Sequence, residues 1–141
     1  TSKKTMPEKL TGEESNWAMM LHLMIFVNFI APLGFILALI CWLVKKDESR
    51  FIRNHGAEAI NFQISIFLYT PLFVILFFYA IVASETSEAT ALLSIILYLI
   101  GTFGSIFLFF YAPIRGAIKA KHGEEYLYPF CIRFIKPLPP V

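Results

Sequence analysis

The sequence predicts an all-α integral membrane protein, built as a small helical bundle, and three observations lead there. Of 141 residues, 57% are hydrophobic and 15 are Phe, and the mean hydropathy is +0.67, well above that of a water-soluble domain. Three stretches, residues 17–44, 57–83 and 89–114, each reach the roughly 20 apolar residues needed to cross a hydrocarbon core as a helix. All 12 Lys and Arg fall before the first stretch, between the first and second, or after the third. The turn at 84–90 holds Glu85 and Glu88 instead. By the positive-inside rule, the 45–56 loop and the C-terminus face the cytoplasm and the 84–90 loop lies outside, as in a multi-pass protein of the inner (cytoplasmic) membrane.

Residues 1–16 read as a polar tail with mixed charge and no apolar signal-peptide region, so the first apolar stretch is expected to direct insertion. Ser15 or Asn16 can cap the helix that follows. The membrane domain is assigned to residues 17–120. Its first segment, 17–44, would be about 42 Å long as one helix, more than the core needs. Ala31-Pro32-Leu33-Gly34 interrupts it, because proline removes a backbone donor and clashes with the preceding turn. The segment is therefore read as a Pro/Gly-broken helical hairpin, with a single kinked span as the alternative. In the hairpin, Trp17 and Trp42 anchor at the same surface.

The second helix contains Thr70-Pro71, where the Thr70 hydroxyl can satisfy a nearby carbonyl. The third carries Ser94, Gly101 and Ser105 on one face, a small-residue stripe suited to close packing on the second. Residues 121–141 are basic and aromatic and read as an amphipathic interfacial tail. With the polar lead and the membrane domain, this makes three parts.

The most informative stretch is 54–65. At 100° per residue, Asn54, Glu58, Asn61, Ser65 and Tyr69 fall within roughly an 80° arc, with Gly56, Gln63 and Thr70 opposite. Hydrocarbon offers such groups no hydrogen-bond partners, so the helix is expected to be central, with protein or water on both sides. The candidate packing or partner site is His22, Asn54, His55, Glu58, Asn61, Gln63, Ser65 and Tyr69. Antiparallel pairing of the second and third helices puts Arg115 and Lys119 at the level of Glu58, so one of them is its expected ion-pair partner. His22 is expected to bond across helices to Asn61 or Gln63.

Several function classes find no footing. Cys41 and Cys131 form no Cys-x-x-Cys or Cys/His cluster, so no metal site and no cofactor are expected. His55-x-x-Glu58 lacks the second His of a zinc-protease helix, and no catalytic residues are assigned. The basic residues flank membrane segments, so no nucleic-acid partner is expected. The expected partners are the lipid bilayer and either another membrane protein or further copies of the chain.

Four motifs carry a resemblance. Trp17-Ala18-Met19-Met20-Leu21-His22-Leu23, Trp42-Leu43-Val44-Lys45-Lys46-Asp47-Glu48-Ser49, the run from His55 to Ser65, and the run from Ala117 to Pro129 resemble the small bacterial membrane domain grouped with the Tic-twenty chloroplast protein-import component. That resemblance implies four helices and both termini on one side, and points toward a polypeptide-handling complex. The expected function is a non-enzymatic membrane scaffold or accessory subunit. The alternative is a small oligomeric channel or transporter, or a lipid-interacting membrane protein.

Overall fold

The computed structural model describes residues 10–30, 33–83, 85 and 87–139, and among them every regular element is helical. Helix α1 spans Gly12–Leu23 and continues into a 3₁₀ stretch, Met24–Phe29. Helices α2, Gly34–Lys45, α3, Arg50–Ala83, and α4, Glu88–Lys121, follow. The C-terminal segment, 122–139, contains no helix, so the amphipathic interfacial segment anticipated there is instead an irregular strap.

The first helix starts earlier than Ser15. Thr11 is its cap, accepting from the Glu14 amide at 3.2 Å while the Glu14 carboxylate accepts from the Thr11 amide at 2.8 Å. This reciprocal box satisfies two donors that the first turn leaves open. Part of the expected polar tail is therefore helical. Lys3, Lys4 and Lys9 lie outside the described residues.

Residues 17–44 double back on themselves. The Lys45 ammonium sits 5.2 Å from the centre of the Trp17 ring, so the start of α1 lies beside the end of α2. A single kinked span would hold these residues far apart. Ala31 and Pro32 lie outside the described residues; the chain on either side is joined by Asn28, whose Oδ1 accepts from the Phe35 amide at 3.3 Å. Gly34 permits this tight return, because a Cβ there would run into the Met24 carbonyl and the Asn28 side chain.

Helix α3 divides at its middle. From Phe51 to Gln63 every residue but Arg53 is buried, whereas from Phe67 to Tyr79 most are exposed. The helix runs through Pro71, and the Thr70 hydroxyl donates to the Ile66 carbonyl at 2.9 Å. In α4 the buried positions are Ala112, Pro113, Gly116, Ala117 and Ala120, all small or compact and all in its last third. The core therefore sits at one end, where α1, α2 and the strap surround the first half of α3 and the last third of α4. At the other end, among the described residues, α3 and α4 pack on each other alone. A Cβ on Gly101 would lie 2.6 Å from the Phe73 ring, and Phe77 and Tyr98 meet with ring centres 5.3 Å apart. Both long helices, 34 residues each, are long and apolar enough to cross a membrane.

One close approach in the core offers a sharp test. At Gly56 a Cβ would collide with the Trp42 indole, while Gly104 faces open space. Gly56→Val is expected to destabilise the fold by roughly 1–3 kcal/mol through overpacking. Gly104→Ala should cost nothing, since alanine favours the helix. Thermal unfolding in detergent micelles compares the two, and equal midpoints would refute this packing.

Candidate functional site

The polar face of α3 is occupied by the chain's own C-terminal strap. Asn54 donates to the Leu138 carbonyl at 3.1 Å and accepts from the Leu138 amide at 2.8 Å. Asn61 repeats this with Ile135, at 2.7 and 2.9 Å. Ser65 accepts from the Ile132 amide at 2.8 Å, and Tyr69 donates to the Phe130 carbonyl at 2.8 Å. Each carboxamide thus grips one residue by both main-chain groups, as a neighbouring β-strand would.

The order of these contacts gives the strap its path. As strap numbers rise from 130 to 138, their α3 partners fall from 69 to 54, so this arm runs antiparallel to α3 back toward the basic end. The other arm descends from the end of α4 at Lys121 and reaches Glu58 through Tyr128. Residues 122–139 therefore enter, turn near Pro129-Phe130 and leave at the same end. Phe130 has φ 53°, the left-handed conformation, and is the non-glycine residue that makes the turn. From Asn54 to Tyr69 the strap penetrates about 22 Å along α3.

Glu58 fastens the two arms together. Its buried carboxylate accepts from the Tyr128 amide at 3.0 Å and from Arg133 Nε at 2.6 Å and Nη2 at 3.2 Å. Arg133 also donates to the Tyr128 carbonyl at 3.3 Å. The expected partnership with Arg115 or Lys119 is therefore corrected. Lys119 binds Glu124 at 2.9 Å, which holds the Glu124 carboxyl below the usual carboxylate range, and Arg115 is exposed. The physical reason is that the strap inserts between the α4 cations and α3 and supplies a nearer guanidinium.

Two histidines close the ring. His22 Nδ1 lies 2.7 Å from the Tyr128 hydroxyl and His22 Nε2 lies 2.7 Å from His55 Nδ1, all fully or almost fully buried. A contact between two ring nitrogens needs one proton between them, so both rings cannot be imidazolium at once. His22 therefore joins α1 to α3 and the strap through His55 and Tyr128, in place of the expected Asn61 or Gln63. The shared packing requires a small residue on α4: a Cβ on Gly116 would lie 2.8 Å from His22 and 2.9 Å from Tyr126.

The opposite face of α3 is covered by the helical hairpin. Gln63 accepts from Asn28 at 3.0 Å, and Trp42 lies over Gly56 while its indole donates to the Arg53 carbonyl at 2.9 Å. The chain itself thus covers both polar faces, although the buried Gln63 Nε2 has no hydrogen-bond partner among the described residues. On α4, Gly101 meets Phe73, Ser94 is half-buried, and Ser105 lines an apolar cavity of about 340 Å³ beside Ser65, Tyr69 and Phe130. Cys41 and Cys131 carry free thiols. Among the described residues no three His, Cys, Asp or Glu side chains are grouped so as to hold a metal.

Sequence reasoning singled out the α3 face but missed its occupant. Arg133 and the main chain of 128–138 were assigned to the membrane surface. The available signal was a count: five polar side chains on one arc, and a following segment too irregular to satisfy its own amides and carbonyls.

A family model matches residues 13–135, nearly the whole chain, and is described as the magnetosome magnetite crystal formation protein family, MamF/MmsF. No curated protein and no solved structure matches the chain. The match overturns the Tic-twenty resemblance, because residues 17–23, 42–49, 55–65 and 117–129, which carried it, all lie inside the matched span. The polypeptide-handling role that rested on the resemblance goes with it.

Two substitution experiments test the grip of α3 on the strap. Asn61→Leu removes the partners of the amide and carbonyl of the half-buried Ile135, an expected loss of roughly 1–3 kcal/mol. Hydrogen exchange at Ile135 should then quicken, while Tyr69→Phe, losing one bond at the strap's tip, costs about 1 kcal/mol. Equal losses would refute the ladder. In a charge-reversal series, Glu58→Arg should be rescued by Arg133→Glu and not by Arg115→Glu, read as folded yield in detergent.

Proposed function

We propose, because the chain belongs to the magnetosome magnetite crystal formation family, MamF/MmsF, that it is a non-enzymatic scaffold of the magnetosome membrane that acts in forming the crystal. The observation that carries this reading is where the polar chemistry goes. Asn54, Glu58, Asn61 and Ser65 direct their polar atoms at the chain's own main chain and at Arg133. Polar groups so engaged serve to fix a shape.

In this reading α3 and α4 cross the bilayer. Each is about 51 Å long, enough for the ~40–45 Å of core and headgroup layers at a modest tilt. Their outer surfaces carry Leu72, Ile75, Phe78, Leu97, Ile100 and Phe103, all exposed and fit for lipid. Lys45, Lys46 and Arg50 stand at the end that the positive-inside rule places in the cytoplasm. Glu85 and Glu88 then stand on the side of the enclosed crystal.

The ladder weighs against a hydrated conduit. Asn61, Ser65 and Tyr69 would line such a path, yet each is turned to the strap, and the cavity at its tip is walled mainly by aromatic and aliphatic side chains.

Deleting the gene in a magnetosome-forming bacterium should change the size distribution of the crystals by electron microscopy, with the wild-type chain restoring it. The protein should stay with purified magnetosomes through alkaline carbonate washing. Unchanged crystals would remove the role in mineral formation, and release by carbonate would remove the membrane assignment.

A further inference from the structure

We infer that the molecule is a wedge, wide in the leaflet at its basic end and narrow in the other, and that the partner it fits is a bilayer curved convex toward the basic end. The inference rests on the membrane reading above. It comes from the level at which each segment turns back.

The hairpin and the strap both reverse at the middle of α3. Asn28, at the end of the hairpin's first arm, bonds Gln63, and Phe35, at the start of its second arm, meets Phe67 with ring centres 6.0 Å apart. The tip of the strap, Phe130, bonds Tyr69. Residues 63–69 occupy the centre of the 34-residue α3. With the ends of α3 in the two headgroup layers, that centre lies at the bilayer midplane. On α4, Phe109 and Phe110 meet Phe29 with ring centres 5.4 and 5.8 Å apart, about five residues from the middle of that helix toward the basic end, so the hairpin's first arm stops short of the far half there as well.

Among the described residues, the half of the molecule between the basic end and this level therefore contains six chain passes: α1 with its 3₁₀ extension, α2, α3, α4 and the two arms of the strap. The other half contains α3 and α4 alone. The wide half meets lipid as the narrow half does, since Ile36, Leu37, Ile40 and Leu43 on α2 are exposed, as are Ile114 and Ile118 on α4. A helix with its side chains is about 10–12 Å across, so α1 and α2 alone displace on the order of 200 Å² more from one leaflet than from the other. The wide half is rigid, because the hydrogen-bond ladder, the Glu58–Arg133 pair and the His22–His55–Tyr128 contacts hold its segments together.

A rigid inclusion that takes more area from one leaflet is accommodated best where that leaflet is the expanded one. For the basic end this is the outer surface of a small vesicle or narrow tube. A difference in fit between flat and curved bilayers shifts the distribution of the protein between them by as much as the two free energies differ.

The test is tether sorting. Full-length protein, fluorescently labelled, is reconstituted into giant vesicles of phosphatidylcholine and phosphatidylglycerol, and a narrow membrane tube is pulled outward from each. A membrane-impermeant quencher separates molecules by which end faces out. Molecules with the basic end outward should be enriched in the tube relative to a lipid dye by about twofold or more, and oppositely oriented molecules should be depleted. Equal density in tube and vesicle for both orientations, or the reverse sorting, overturns the wedge while leaving the membrane assignment standing. Protein that remains extractable by carbonate after reconstitution overturns the membrane reading and the wedge together.

Discussion

A main chain without regular structure cannot lie at membrane depth unless other groups of the protein take its hydrogen bonds, and this constraint organises the molecule. In the membrane placement proposed above, the strap carries its amides and carbonyls some 22 Å along α3, where hydrocarbon returns none of the bonds water would make. Helices satisfy themselves and strands satisfy neighbours; the strap does neither. Its partners are side chains spaced by the helical repeat, so Asn54, Glu58, Asn61, Ser65 and Tyr69 together act as the missing strand. The dependence is mutual, because the same side chains would be stranded without the strap.

Other features follow from accommodating that strap. Small residues in the last third of α4, Ala112, Gly116, Ala117 and Ala120, leave room for α1, His22 and Tyr126 to approach. The hairpin shields the opposite face of α3 and ends at the level where its need ends. Beyond that level α3 and α4 have no buried polar residues to cover, and two apolar helices in contact are sufficient.

Much of this was legible in the residues, and the limit has a physical cause. Helical periodicity is local, so the polar arc on α3 and the half-buried stripe through Ser94, Gly101 and Ser105 could be placed from spacing alone. The Pro32–Gly34 interruption likewise pointed to residues 17–44 doubling back, with a single kinked span left as the alternative. The strap was not legible because its bonds are made by main-chain atoms, which every residue possesses, so the sequence of 122–139 holds no mark of where it docks. Its aromatic and basic composition equally suits a membrane surface, and that reading hid Arg133 from Glu58. The cap of α1 lies at Thr11, four residues before Ser15, because the Thr11–Glu14 box starts the helix ahead of the apolar run. Family identity was a different kind of error: the motifs suggested one membrane family, and the model matching residues 13–135 assigns the chain to another.

Asn54 and Leu138 are 84 positions apart in the chain, and the order of synthesis turns that spacing into a waiting time. At 5–20 residues per second, the last rung of the ladder emerges from the ribosome roughly 4–17 s after the first. Through that interval α3 holds an unpaired glutamate and two carboxamides while the helices that follow it are still being made. A chain cut short anywhere before the strap stays in that state permanently. Docking of the strap is thus the last bonding event that the buried face of α3 requires, because no rung of the ladder can form before residues 128–138 have been made.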